Sequence, residues 1–79
     1  MTDPIQEEQR QELERERDCL RRERASLHQS LDALTIRLAT SPTETILHEH
    51  SRIMEQLIRN ATRDRELADA VTQVLLDPV

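Results

Sequence analysis

The chain has 79 residues, 34% of them charged, a formal net charge of −5, and no Gly, Phe, Tyr or Trp. Without glycine there is no phosphate-cradling loop, Rossmann fingerprint or tight type I′ hairpin turn, and without aromatic rings there is no base-stacking platform. The acidic balance argues against a direct reader of nucleic acid, and the length allows one domain with a small core.

What remains is the composition of long polar helices, rich in Glu, Arg, Leu, Gln and Ala. The first helix is predicted over about residues 4–39. Asp3-Pro4 reads as an N-cap followed by proline at the first helical position, where its missing N–H costs nothing. Glu7 and Glu8 then lie near the positive end of the helix dipole. No residue breaks the pattern until Ala39-Thr40-Ser41-Pro42, where proline disfavours helical geometry at Ser41 and sets a turn at 40–42.

The second helix is predicted over about residues 42–76, up to Asp77-Pro78-Val79. Ser41-Pro42-Thr43-Glu44 has the spacing of a capping box, with the Ser41 hydroxyl on the Glu44 amide and the Glu44 carboxylate reaching back. Two arms of matched length, ~52 Å each, on so short a connection predict an antiparallel neighbour pair. The fold class expected is all-α: one domain over residues 1–79, a coiled-coil-like helical hairpin that dimerises into a four-helix bundle.

Leu13, Leu20, Leu27 and Leu34 recur every seventh residue, with Arg10, Arg17, Arg24, Leu31 and Leu38 completing the heptad seam. The second helix has a matching frame in Leu47, Met54, Ala61, Ala68 and Leu75 together with His50, Leu57, Asp64 and Val71. Folded back, this frame sets Leu34 opposite Leu47, Leu27 opposite Met54, Leu20 opposite Ala61 and Leu13 opposite Ala68. It also brings Arg17 to Asp64, the one carboxylate in the seam, and Arg24 to Leu57.

The second helix carries more apolar surface than one partner covers. Ile46, Ile53, Leu67 and Val74 form a further stripe at spacing seven, interrupted by Asn60, and Ile58 borders the first stripe. A stripe of four aliphatic side chains left in water is costly for so small a chain. These residues are therefore expected to form the oligomer or partner interface.

Other motifs point to ordinary helix surface. His48 and His50 are two residues apart, on different helix faces, and His28 stands alone, so no metal site is expected. His50, in the seam, is the one histidine whose surroundings suit pH sensing. Cys19 falls outside the seam beside Asp18, Arg21 and Arg22, and a lone cysteine suits a reducing compartment. Asn60-Ala61-Thr62 matches a glycosylation acceptor in form only, since Met1-Thr2-Asp3-Pro4 opens neither a signal nor a transit peptide. Leu76-Asp77-Pro78-Val79 has the form of a carboxylate ligand for a sheet-edge groove.

No catalytic constellation, cofactor site or small-molecule site is expected on a two-helix ribbon. The leucine repeat lacks a basic DNA-reading region, because Gln6-Glu7-Glu8-Gln9 stands upstream of it. The function expected is a non-enzymatic interaction and oligomerisation module, intracellular (cytoplasm or nucleus), scaffolding or recruiting partners through its helices. The partners are a second copy or another helical protein, with no direct nucleic acid and no membrane. Two alternatives are a small regulator docking on a partner enzyme and an accessory subunit of a DNA-transaction or transcription complex.

Overall fold

Two long helices, α1 (Pro4–Thr40) and α2 (Glu44–Leu76), pack against each other in a computed structural model that describes residues 3–76. Helix α1 starts as its first residues dictate. The Asp3 carboxylate accepts from the Ile5 amide at 3.0 Å, the Asp3 carbonyl accepts from Glu7, and Pro4 takes the position that needs no donor. Arg10 then joins Glu7 and Glu14, the latter at 3.1 Å, and Arg21 joins Asp18 at 2.9 Å. Such pairs one helical turn apart each contribute a few tenths of a kcal/mol, and they support a helix most of whose surface faces water.

The turn is Ser41-Pro42-Thr43. The Ser41 amide donates to the Arg37 carbonyl at 2.8 Å, and the Thr40 hydroxyl covers the Ile36 and Arg37 carbonyls. The Ile36 and Arg37 carbonyls near the end of α1 are thus engaged without a left-handed residue, and none of the described residues has positive φ. The expected capping box does not form. Ser41 is the C-cap of α1, and Thr43 caps α2, its hydroxyl accepting from the Ile46 amide at 3.3 Å while its carbonyl accepts from Leu47. Helix α2 accordingly begins at Glu44 rather than at Pro42, two residues later than the sequence suggests. Proline favours an extended residue before it, and at Ser41 that extension is spent closing α1.

The arms are antiparallel: Glu16 reaches Arg63, Arg17 reaches Asp64 and Arg24 reaches Asn60. The molecule measures 59 × 15 × 13 Å, one helix length long and two helices wide. The less exposed side chains of α1 follow residues 10, 13, 17, 20, 24, 27, 31, 34 and 38, so Leu13, Leu20, Leu27, Leu31, Leu34 and Leu38 line the seam. Leu34 is the most buried of them.

On α2 the seam differs from the expectation by one residue. Ile46, Ile53, Asn60, Leu67 and Val74, together with His50, Leu57, Asp64 and Val71, turn towards α1. Leu47 and Met54, expected in the hairpin seam, are 52% and 40% exposed, whereas Leu67 and Asn60 are each 2% exposed. Ile46, Ile53, Asn60, Leu67 and Val74, expected at an oligomer interface, therefore lie in the hairpin, and Leu47, Met54 and Leu75, expected in the hairpin, face solvent, while Leu57 and Val71 lie in the seam and Ile58 outside it.

Two physical reasons favour this frame. It buries four large aliphatic side chains in place of Leu47, Met54, Leu75 and two alanine methyls. It also turns Asn60 inward to accept from Arg24, which would otherwise stand beside Leu57; Asp64, in the seam in either frame, is the second partner of that arginine. No described helix is long and apolar enough to cross a membrane.

Candidate interaction surface

Halfway along the seam the apolar layers give way to a polar cluster. Arg17 and Arg24 come from α1 because the leucine heptad places them on its inner face, and Asn60 and Asp64 meet them from α2. The Asn60 side-chain oxygen accepts from Arg24 Nε at 3.1 Å, and its amide nitrogen donates to the Leu20 carbonyl at 2.9 Å and to Glu23 at 3.1 Å. Asp64 bridges the two arginines, with Oδ1 3.1 Å from Arg17 Nε and Oδ2 3.2 Å from Arg24 Nη2. The Arg17 hydrogen bond holds the Asp64 carboxyl below its ordinary range; Arg24 adds to this, and partial burial opposes it. At the rim, Arg63 joins Glu16 at 3.0 Å and Glu66 at 3.3 Å.

Every buried polar side-chain atom among the described residues is satisfied. A polar layer of this kind contributes chiefly to register, because any slip would leave Asn60 and the arginines without partners.

The second feature lies on the outside. Leu47, Met54, Ile58 and Leu75 are 52%, 40%, 63% and 65% exposed, and Ala61 and Ala68 lie in the same line. With Ser51, Arg65 and Thr72 they complete an alternation of fours and threes from 47 to 75, a second heptad seam beside the first. The two seams of α2 lie side by side because 46 and 47, 53 and 54, 60 and 61, 67 and 68, and 74 and 75 are sequence neighbours. Only the first is covered.

The flanks of the ribbon differ. Glu16 and Glu23 contact Arg63 and Asn60 on one face. On the other face the residues of α1 that flank the seam are Glu7, Glu14, Arg21 and His28, beside the apolar stripe of α2.

His28 and His48 are exposed, His48 lying 4.0 Å from Glu44, and His50 is half-buried in the seam. No group of three or more potential metal ligands occurs among the described residues. Cys19 is exposed, with its sulfur 3.4 Å from Arg22 Nη2. Asn60 is held inside the seam, out of reach as a glycan acceptor. Of the C-terminal motif, Asp77-Pro78-Val79 lies outside the described residues.

The polar cluster was only partly visible in the sequence. Arg17 beside Asp64 follows from the heptads, but the role of Asn60 does not, because it stands in the stripe assigned to an oligomer interface. The signal was there: the seam arginines Arg17 and Arg24 require acceptors, and Asn60 with Asp64 supplies them at heptad-compatible spacing.

Comparison of the chain with protein-family models, with curated proteins and with solved structures gives no match.

Proposed function

We propose that the hairpin is a non-enzymatic protein–protein interaction and oligomerisation module that scaffolds partners through its helices, a second copy of itself first among them. The observation that carries this reading is the largely exposed stripe on α2 from Leu47 to Leu75, apolar except at Ser51, Arg65 and Thr72, set on a ribbon whose own seam is already filled. Isolated exposed leucines are commonplace; four large aliphatic side chains and two alanines in heptad register are the surface of a helix that packs again. A ribbon 15 × 13 Å in section also lacks the depth in which a site could exclude water. The exposed Cys19 thiol suits a reducing, intracellular setting.

The mass in solution tests this reading. Light scattering from about 5 to 200 μM should show the 9.3 kDa chain forming dimers or larger assemblies, the range being set by ordinary interface affinities. The double variant Met54→Asp/Ile58→Asp should remain monomeric and helical over the same range, because an apolar contact cannot solvate the new carboxylates. A parent chain that stays monomeric throughout overturns the oligomerisation reading.

A further inference from the structure

The stripe on α2 carries one charged residue, Arg65. Among the described residues Arg65 makes no ion pair within the hairpin, and neither does Glu55, which borders the stripe one turn before Ile58 and Arg59. Both are exposed. We propose that α2 pairs antiparallel with α2 of a second copy, about a two-fold axis near residue 60, so that Arg65 of each chain meets Glu55 of the other. This inference rests on the oligomerisation reading above and specifies its surface and direction.

Charge decides between the available arrangements. Parallel pairing of α2 with itself would set Arg65 on Arg65 inside the seam, a like-charge contact, and would carry the bordering Glu55 residues to opposite sides of the pair, where neither reaches an arginine of the stripe. Pairing α2 with α1 of the second copy would lay the apolar stripe on Glu7, Glu14, Arg21 and His28, which flank the seam on that same face. Antiparallel pairing of α2 with itself places residues 55 and 65 opposite each other, and the two-fold makes the pair twice. It also brings His48 within a turn of Asp69.

Side-chain size agrees with this direction. Ile58, the bulkiest residue near the proposed axis, comes to Ala61 and Thr62 of the second copy, and Met54 comes towards Ala68. Leu47 and Leu75 then close the two ends of the contact against each other. Large side chains meet small ones near the centre, as interdigitated helices require. The stripe runs ~42 Å along the helix and is about one helix wide, on the order of 400 Å² per copy. Over both copies that is about 800 Å², less than the ~1,000 Å² of a stable interface, so the dimer is weak and reversible.

Cysteine cross-linking of the whole chain in a Cys19→Ser background tests the geometry. Ala61→Cys should cross-link to itself. Leu47→Cys and Leu75→Cys should each give little dimer alone but cross-link efficiently when mixed. Independently, Arg65→Glu should weaken the dimer by about tenfold, and Glu55→Arg in the same chain should restore it.

If the parent dimerises but Leu47→Cys links to itself as readily as Ala61→Cys, the pairing is parallel and the proposal falls while the oligomerisation reading stands. Failure of Glu55→Arg to rescue Arg65→Glu, with helicity intact by circular dichroism, overturns the register. A parent that is monomeric throughout removes both.

Discussion

Helix α1 and helix α2 are close in length, 37 and 33 residues, yet they contribute unequally to the fold. Among its described residues helix α1 has a single buried one, Leu34, whereas α2 buries Ile46, Asn60, Leu67 and Val71. The flanks of α1's one stripe are charged, so only one rotation of that helix buries leucine without burying carboxylates. Helix α2 has two apolar stripes that share the edge formed by His50, Leu57, Asp64 and Val71, and both rotations bury aliphatic surface. The polar residues of α1 choose between them. Arg24 needs an acceptor, and Asn60 supplies one only when the stripe beginning at Ile46 turns inward.

The largest expected effect separates the two stripes of α2. Leu67→Ala should lower unfolding free energy by about 2–5 kcal/mol, because Leu67 is 2% exposed and little can relax into the space it leaves. Leu47→Ala, measured at a concentration where the chain is monomeric, should cost no more than about 0.5 kcal/mol. Urea unfolding of the two variants compares them directly, and equal costs would mean that α2 samples both rotations.

Next in size is the polar cluster. Asn60→Ala should cost about 1–3 kcal/mol, since it removes one of the two acceptors of Arg24 and leaves part of the seam unfilled. Asn60→Leu should recover part of that loss through burial while loosening the choice of register. The number of distinct amide sets in a nitrogen–proton correlation spectrum reports that loosening; a single set in Asn60→Leu would mean that the aliphatic residues alone fix the register.

The smallest effect is electrostatic. Coupling between Arg17 and Asp64 in a double-mutant cycle should be ~0.2–1 kcal/mol, because both side chains retain partial contact with water, 26% and 20% exposed. The pH dependence has a definite sign. Asp64 has a lower folded than unfolded pKa, so its contribution is complete above the unfolded value of ~3.9 and is lost as pH falls through the folded one. Asp64→Asn should flatten the stability profile in that acidic range and leave its slope near neutral pH unchanged.

The two helices, the break at Ser41-Pro42, the antiparallel hairpin and the inner face of α1 are legible in the residues alone. These follow from local causes: proline geometry, caps, and a leucine heptad flanked by charge on both sides. Packing of the two arms settles two features that local causes leave open. It chose Thr43 over Ser41 as the cap of α2, because the Ser41 amide is needed to close α1. It also set the rotation of α2, which no pattern within α2 can fix, because residues 46 and 47 begin two equally regular heptads. That rotation depends on which polar partners the opposite helix presents, and the meeting of Arg24 with Asn60 exists only once the two arms lie side by side.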